Sequence, residues 1–415
     1  MKKRIGTMII ACFLLFAVVQ FEESQKSEEG FWRSLASALE GKYHVTNMEY
    51  MDVTQMSVSE QAYQKLPNRL KKAYRQLDEY VYKFYDNIDD IVIPKDDFQK
   101  VLSYYRADHP QAFWVSSAYR YQYDARTDNL SRATLSFSYP DPETRKEKRI
   151  SRSKAEKMAR EVQEKAELIL SGITEEMTDY DKVLYLHDYL ASTVAYDDTA
   201  PYQHTVYGAL VEEKAVCDGY TSAMQYLLLQ AGLDSQIAYG YDKADTSQQH
   251  VWNVVKIENE YYHLDITWDL PPEGGTVPVY ANFLLTTEQV EKRHKILSPI
   301  EGRQEEGKED SIYPPIADCT DGSLNYYLQN GCYITDLSDD SVANILLKTN
   351  IALIEGEEQV QFLFESSYDL NRFLNEVEEN VPRVARAFPY SCEQYDTSMI
   401  TYVEDNILVL QFRYH

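Results

Sequence analysis

The chain has 415 residues, of which 44% are hydrophobic, so it is long enough for two or three domains and can bury a sizeable core. Its 67 acidic and 41 basic residues give a formal net charge of -26. Such a chain repels phosphate backbones and anionic lipid headgroups, which argues against nucleic acid as a partner.

The first twenty residues combine a positive head with a short apolar stretch. Three basic residues precede an apolar run from Met8 to Val19, and the acidic, polar stretch Glu22–Glu29 follows. This order is typical of a secretory signal, and the run is short for a spanning helix of about 20 residues. No clean cleavage site follows it, so residues 1–24 are predicted to be a signal peptide or a retained membrane anchor. The remainder should then be extracellular or lie at the cell surface.

The next part of the chain, residues 25–174, is predicted to be a helical region with short strands. Apolar residues at helical spacing indicate helices over Leu66–Tyr85, Asp97–Tyr105 and residues 145–171. Alternating residues bounded by turn residues indicate strands over Ser116–Tyr123 and Ala133–Tyr139.

Residues 175–300 are predicted to form an α+β domain. Asp179–Val194 reads as a helix, and Cys217 begins another helix that Gly232 is placed to end. Three strands are predicted next, over Ser235–Tyr241, His250–Ile257 and Tyr261–Thr267.

A small α/β module is predicted at the C-terminal end. Residues 301–310 are charged and lack hydrophobic side chains, which favours a linker. Residues 311–415 follow, with an alternating strand around Phe362, a helix over Tyr368–Val377 and a hairpin over Ile400–Phe412.

Cys217 is the candidate nucleophile. It lies where a loop becomes a helix, so unpaired backbone N–H groups and the positive end of the helix dipole favour its thiolate. The thiolate is the reactive form of cysteine, whose ordinary pKa is about 8.5 and falls beside an imidazolium.

The predicted hairpin brings His250 and Asp265 together. If Glu258 and Asn259 form a two-residue loop in which Asn259 is left-handed, residue 257 pairs with residue 260. Asp265 then falls opposite Trp252, on the same face as His250 and diagonal to it. Diagonal neighbours lie about 7–8 Å apart, within reach of a carboxylate and an imidazole, and a one-residue slip would break the geometry.

Cysteine, histidine and aspartate match the roles of nucleophile, base and orienting acid in acyl transfer. Cys217 would attack a carboxamide to form a thioester, His250 would move the proton, and Asp265 would orient the imidazole. Water or an amine would release the acyl group, and hydrolysis is favoured because no amine-binding feature is visible.

Three ordered motifs resemble those of the transglutaminase-like superfamily, and in particular its extracytoplasmic versions in Gram-positive bacteria. The motifs are Ala215–Tyr220 (AVCDGY), His250–Asn253 (HVWN) and Tyr262–Asp269 (YHLDITWD). The upstream segments Leu186–Leu190 (LHDYL) and Val194–Asp197 (VAYD) resemble the helix that precedes the family's cysteine.

This resemblance implies a papain-like core, with the cysteine helix packed on an antiparallel sheet that carries His250 and Asp265, and thiol chemistry on amide bonds. It also implies an oxyanion stabiliser made from the Cys217 backbone N–H, with Tyr207 as a second candidate. Val216 departs from the glutamine that precedes the cysteine in animal cross-linking enzymes, and no resemblance to their calcium sites is present.

Several other residues have two interpretations. Trp252 and Trp268 would wall the substrate cleft or pack in the core. Asp218 would contact substrate or cap its helix, and capping is favoured. His263 would support Asp265 or face solvent. The remaining candidates are expected to be structural or incidental: His187, Asp188, Cys319, Cys332 and Cys392.

The sequence thus predicts a secreted or anchored cysteine protease, amidase or transglutaminase that acts on a polypeptide or cell-wall peptide. No cofactor and no metal are predicted, since tight metal-ligand motifs such as CxxC and HExxH are absent. Two alternatives stay open: a binding module with a vestigial triad, and an amidase or peptidase acting on peptidoglycan stem peptides. The membrane would be contacted only through the N-terminal segment.

Overall fold

The structure is a computed structural model that describes residues 59–85, 87–89, 91–115, 119–140, 146–271, 277–303, 311–379, 395–402 and 406–414. The predicted leader and Cys392 lie outside these residues, so the interpretation of the leader stays a prediction. No helix among the described residues combines the length and the apolar character needed to cross a bilayer.

The described helices are mostly short. They are α1 (Gln61–Lys65), α2 (Asn68–Tyr82), α3 (Phe98–Asp108), α4 (Arg152–Leu170), α5 (Asp179–Thr193), α6 (Val206–Leu210), α7 (Cys217–Gln230), α8 (Thr287–Arg293), α9 (Tyr326–Gln329), α10 (Asp339–Glu355) and α11 (Ser367–Glu379). Short 3-10 turns cover Lys95–Asp97 and Ile266–Trp268.

The described strands form five sheets. In chain order they are β1 (Asn87–Asp89), β2 (Tyr119–Tyr123), β3 (Leu130–Leu135), β4 (Ser138–Pro140), β5 (Glu147–Arg149), β6 (Ala195–Tyr196), β7 (Lys214–Ala215), β8 (Ser235–Asp242), β9 (Gln249–Ile257), β10 (Glu260–Leu264), β11 (Phe283–Leu285), β12 (His294–Ile296), β13 (Tyr333–Ile334), β14 (Gln359–Phe364), β15 (Tyr395–Tyr402) and β16 (Ile407–Tyr414). The largest has five strands in the order β11-β10-β9-β8-β12.

In the N-terminal region, a buried aspartate ties three helices together. The Asp108 carboxylate, at the end of α3, accepts hydrogen bonds from the backbone N–H groups of Ala62 and Tyr63 at 2.9 and 2.8 Å. It also accepts one from the Tyr74 hydroxyl of α2 at 2.8 Å. These bonds satisfy a carboxylate that burial would otherwise penalise. The three predicted helices are present, with α2 beginning directly after Pro67. The third begins only at Arg152, because Ser151 caps it and Glu147–Arg149 form strand β5, so the prediction of helix from residue 145 was wrong.

The cysteine helix α7 packs on the five-stranded sheet through its apolar face. Ala223, Met224, Leu227 and Leu228 are buried, as the sequence pattern predicts. The side-chain amide of Asn253 in β9 donates to the Thr221 carbonyl of α7 at 3.1 Å, so a polar contact fixes the helix along the strand.

The predicted hairpin register is confirmed. Glu260 pairs with Ile257 and Leu264 pairs with Asn253, with every pair between them in step. Glu258 has a φ of 55°, so the first loop residue takes the left-handed conformation that we assigned to Asn259. The tight turns that match strand twist need a positive φ at this first position, which explains the difference. The strand ends at Leu264, one residue before Asp265.

The C-terminal residues belong to the same compact unit as the sheet, which spans Met56–His415. Ile316 and Cys319 pack in one core cluster with Trp252, and the ring of Tyr326 stacks on Tyr280 at 3.7 Å between centroids. The predicted boundary at residues 301–310 therefore does not separate an independent module, because residues on both sides of it share a buried core.

Candidate active site

Cys217 is the first residue of α7 and is partly exposed. Val216 precedes it in an extended conformation and donates its N–H to the Gln203 carbonyl at 3.0 Å. One turn later, the Thr221 hydroxyl lies 2.8 Å from the Cys217 carbonyl and 3.1 Å from the Val251 carbonyl of β9. The start of the helix is thereby joined to the strand that carries His250.

A glycine allows the neighbouring loop to approach the first turn of α7. A Cβ atom on Gly219 would lie 2.3 Å from the Gln203 carbonyl oxygen and 2.8 Å from the Ala215 side chain. Any side chain at position 219 would therefore push the loop that contains Gln203 away from Cys217.

His250 joins Cys217 to Asp265. Its Nε2 atom lies 2.5 Å from the Asp265 Oδ2 atom. The Cys217 sulfur is close enough to raise the pKa of this ring, and since Nε2 is engaged, Nδ1 is the nitrogen left for an exchange of protons with the sulfur. The Thr267 hydroxyl donates to the other oxygen of Asp265 at 2.7 Å, which holds the carboxylate plane. The structure thus joins His250 to Asp265 by a hydrogen bond and brings Cys217, the third predicted residue, near the same ring.

The charges of these residues support one another. Burial acts to lower the pKa of His250, but the adjacent Asp265 carboxylate and the Cys217 sulfur outweigh it and raise this pKa to about 10. Burial acts to raise the pKa of Asp265, but the imidazolium of His250 outweighs it, so the Asp265 pKa lies below its usual value. The geometry therefore favours a cationic His250 beside the Asp265 carboxylate.

Trp252 packs against the imidazole ring of His250. Its ring stacks on His250 with centroids 5.6 Å apart, and its Nε1 atom donates to His263 Nδ1 at 2.9 Å. Trp252 is only 2% exposed, so the substrate-contact interpretation does not fit and the packing interpretation does. His263 is also buried, which lowers its pKa to about 3 and keeps it neutral, as an acceptor for the indole requires.

His294, the first residue of β12, is a neighbour that the sequence analysis missed. Its ring stacks on His250 with centroids 5.5 Å apart and packs edge-on against Trp268 with centroids 4.5 Å apart. The guanidinium of Arg293 lies over the Trp268 ring, 4.4 Å from its centroid. Burial lowers the pKa of His294 to about 4. An isolated histidine after a short helix carries no sequence signal of this position.

Among the described residues, one trio could hold a metal ion. The donor atoms of His250, Asp265 and His294 lie within 4.8 Å of one another. Two members of the trio, His250 and Asp265, already share the hydrogen bond that orients the imidazole.

Buried polar groups hold the backbone of Asp265. Its N–H donates to the Asn282 carbonyl at 3.1 Å, and Asn282 in turn donates its own N–H to Asp269 at 2.7 Å. Asp269 lies 3.4 Å from Nε2 of His187, and both side chains are fully buried. His187 therefore has a structural role, as predicted, and it acts through the loop that carries Asp265.

Asp218 does not cap its helix. Its two carboxylate oxygens lie 2.9 and 3.0 Å from Nδ1 of His204, and no side-chain cap bond is present at the start of α7. Asp218 is the second residue of the helix, whereas a capping side chain belongs to the residue before the first turn. His204 is exposed and was not singled out in the sequence, where it stands alone in a loop.

Tyr207 lies on α6, and its hydroxyl is engaged away from the triad. It donates to Glu161 at 3.2 Å, and its ring packs on Tyr202 and Phe113. The described contacts of Tyr207 include none with the triad, so an oxyanion role finds no support in them. Tyr196 is 55% exposed and lies closer to Cys217 than Tyr207 does. Strand β6 pairs it with Ala215, two residues before Cys217, and Cys217 contributes to the raised pKa of its hydroxyl.

Comparisons with known proteins found partial similarities. Two solved structures resemble the chain over 28% of its length, each with a TM-score of 0.24. One is the crystal structure of a TGase at 15% identity, and the other is a protein from Cytophaga hutchinsonii proposed to be a cysteine protease, at 20% identity. The matches cover 33% and 41% of those chains.

The comparison with curated proteins gave no match. The family model that matches is that of the transglutaminase-like superfamily, over residues 167–266, a span that includes Cys217, His250 and Asp265. Residues 167–266 are therefore similar to the transglutaminase-like superfamily.

Proposed function

We propose that this protein is a cysteine enzyme that hydrolyses or transfers amide-linked acyl groups of an extracellular or cell-surface polypeptide. The observation that supports it best is the hydrogen bond between His250 and Asp265, together with Cys217 at the start of a helix and close enough to raise the pKa of His250. A structural ion pair would not need a partly exposed sulfur at its end.

In the first half-reaction, the Cys217 thiolate attacks the carbonyl carbon of the amide and a C–S bond forms. The oxyanion develops near the backbone N–H of Cys217, since the first N–H groups of a helix have no partner within it, whereas the N–H groups of Gly219 and Tyr220 already bond to the Val216 carbonyl at 2.9 and 3.1 Å. The C–N bond then breaks as His250 gives its Nδ1 proton to the leaving amine. The acyl group stays on Cys217 as a thioester.

In the second half-reaction, water or an amine attacks the thioester while His250 takes its proton. The C–S bond breaks, and the products are a carboxylic acid or a new amide together with the restored thiolate–imidazolium pair. Asp265 keeps its hydrogen bond to Nε2 of His250 throughout. This bond fixes the imidazole ring, so that Nδ1 is the nitrogen that serves the sulfur. We favour water as the acceptor.

The test is the pH dependence of Cys217 alkylation by iodoacetamide, followed by mass spectrometry of the labelled peptide. We expect rapid labelling well below pH 8, since the imidazolium stabilises the thiolate. A His250→Ala variant should lose this reaction and label only as a free cysteine does, above about pH 8.

Cys319 supplies an internal control, because burial raises the pKa of its thiol to about 12 and the folded protein should protect it. A Cys217→Ser variant should leave no rapid labelling. If Cys217 of the folded wild type titrates as a free cysteine or does not react, the proposed enzyme function is wrong and a binding role becomes the better account.

A further inference from the structure

His294 carries a buried imidazole nitrogen that takes no part in the proposed mechanism. The residue is only 4% exposed, and its Nε2 atom has no hydrogen-bond partner within the part of the chain that the structure describes. A buried polar atom without a partner is costly, and such atoms mark places where an ion or a water molecule binds. The nitrogen is therefore available to a partner from solution.

His294 and Asp265 line one small cavity beside Trp252. His263 lines it as well, but both of its ring nitrogens are engaged, since Nδ1 accepts from Trp252 and Nε2 lies 3.3 Å from the Thr287 hydroxyl. Of the two histidines that line this cavity, His294 is thus the one with a spare nitrogen. The cavity leaves the side chains of Asp265 and His294 room to turn, which a close-packed interior would deny them.

His294 also lies near two other side chains that bind metal ions in proteins. One donor atom from each of His250, Asp265 and His294 falls within 4.8 Å of the others. Two ligands of a tetrahedral zinc ion, each about 2.1 Å from the metal, lie about 3.4 Å apart. A movement of about 1.4 Å at the side-chain tips would therefore close the trio around one ion.

The chemistry of the three donors indicates zinc. Two imidazoles and one carboxylate are the kind of set that Zn²⁺ takes where three protein ligands leave one position open. Ca²⁺ and Mg²⁺ prefer oxygen ligands throughout, so two nitrogens disfavour them. The Oδ1 atom of Asp265 accepts from the Thr267 hydroxyl at 2.7 Å, and an outer hydrogen bond of this kind orients a ligand carboxylate.

We propose that His250, Asp265 and His294 form a zinc site that reversibly inhibits the candidate active site. Zn²⁺ takes the place of the proton that lies between Nε2 of His250 and Oδ2 of Asp265, and this proton is released to solvent. His250 turns towards the ion and no longer presents Nδ1 to Cys217. The binding of zinc does not depend on catalysis, whereas its inhibitory effect rests on the proposed function.

The first test measures zinc binding without the reactive thiol. In the full chain carrying Cys217→Ser, Zn²⁺ is titrated against a chromophoric chelator, and Co²⁺ absorption reports the ligands. We expect one ion per chain and a tetrahedral cobalt spectrum. Adding His294→Phe keeps an aromatic ring but removes the nitrogen. The zinc affinity should then fall at least about tenfold, since even the loss of an outer partner costs about 10–100-fold.

Asp265→Asn removes the anionic ligand with little change of volume and should weaken binding likewise, so the result does not depend on the folding of one variant. His204→Phe is the control, because it removes the exposed histidine–carboxylate pair with Asp218 and should leave the zinc affinity unchanged. Absence of zinc binding by the Cys217→Ser protein, a cobalt–thiolate band, or equal affinities with and without the His294 imidazole would overturn the inference.

The second test measures inhibition in the protein that keeps Cys217. Saturating Zn²⁺ should slow iodoacetamide labelling of Cys217 at least about tenfold, a chelator should restore the rate, and His294→Phe should need about tenfold more zinc. Equal zinc sensitivity of the wild type and His294→Phe, or labelling that Zn²⁺ leaves unchanged or accelerates, would overturn the inhibitory role. A Cys217 that titrates as a free cysteine without zinc would overturn the proposed function and the inhibition with it, while the first test still decides whether the zinc site exists.

Discussion

His250 shows how neighbours can reverse the effect of burial on a single side chain. The ring is largely buried, which by itself favours the neutral imidazole. The Asp265 carboxylate 2.5 Å away reverses this preference and keeps the proton on the ring at neutral pH. The reactivity of Cys217 therefore depends on a residue that does not touch the sulfur.

This dependence predicts the effect of Asp265→Asn. Without the carboxylate, burial dominates and the pKa of His250 falls, so the imidazole becomes neutral and no longer stabilises the thiolate. Alkylation of Cys217 by iodoacetamide at pH 7 should slow at least about tenfold, and its pH midpoint should rise towards about 8.5. The rate is measured from pH 5 to 9, with Asp234→Asn, an exposed aspartate, as the charge control. An unchanged pH midpoint would remove Asp265 from the site.

At this scale the sequence predicts the residues whose roles follow from backbone position. Cys217, His250 and Asp265 were identified because a helix start and a hairpin register fix where they lie. Asp218, Trp252 and Tyr207 were assigned less well, since the direction of a side chain depends on partners that are distant in sequence. Asp218 turns to His204, and Tyr207 turns to Glu161 on α4.

Helix α5 is connected to the loop that follows Asp265 by a buried ion pair between His187 and Asp269. A capping box between Thr178 and Asp181 fixes the start of the helix, and His187 lies in its interior. Burial acts to lower the pKa of His187, but Asp188 and Asp269 outweigh it and raise this pKa to about 9. The imidazolium thus neutralises a buried carboxylate that also bonds Asn282, the residue that holds the backbone of Asp265.

We expect His187→Leu to lower the free energy of unfolding by about 3 kcal/mol, because it leaves the Asp269 charge buried without a partner. Urea unfolding measures this change. Adding Asp269→Asn should restore part of the loss, since it removes the orphaned charge. Equal stability of the wild type and His187→Leu would show that the pair contributes nothing.

The same pair gives a pH dependence with a definite sign. The pKa of His187 is about 9 in the folded chain and about 6.5 in an unfolded one. Its contribution is thus complete below about pH 6.5 and is lost as pH rises through about 9. Asp269, whose pKa burial raises to about 6, titrates below that window. The stability difference between wild type and His187→Leu should shrink between pH 7 and 9.5.

Most elements around the site were predicted from apolar spacing and turn residues, but α10 was missed. Leu347, Ile351 and Ile354 on this helix are exposed, by 57%, 38% and 84%. Apolar residues on the exposed side blur the helical period that indicates an amphipathic helix. The elements that carry Cys217 and His250 are buried over most of their length, so long apolar runs marked them in the sequence.

On the scale of the whole molecule, Gln361 of β14 joins the C-terminal sheet to the loop that precedes β11. Its buried side chain accepts from the Tyr280 N–H at 3.3 Å and the Tyr327 hydroxyl at 3.1 Å. It also donates to the Pro278 carbonyl at 2.6 Å. We predicted a separate module beyond residue 310 because the preceding segment is charged. The contact between Gln361 and a loop about 80 residues earlier leaves no local signal in the sequence, so the connection was missed.

Gln361→Leu should therefore destabilise both regions together, by about 3 kcal/mol, since it removes three hydrogen bonds made by a buried side chain. Urea unfolding followed by tryptophan fluorescence reports on the region before residue 311, which holds every tryptophan of the chain. Gln411→Leu, on the neighbouring strand β16 and half-buried, should change stability by less than about 0.5 kcal/mol. A tryptophan transition that does not move in Gln361→Leu would show that the two regions unfold independently.

The five-stranded sheet also has a consequence for how the chain becomes reactive during synthesis. Cys217 leaves the ribosome well before His294 of β12 and Cys319 of the core cluster, both of which pack with Trp252 under the imidazole of His250. Contacts between such distant residues form late in folding. The surroundings of His250 should therefore be completed only after about a hundred residues beyond Cys217 have been synthesised.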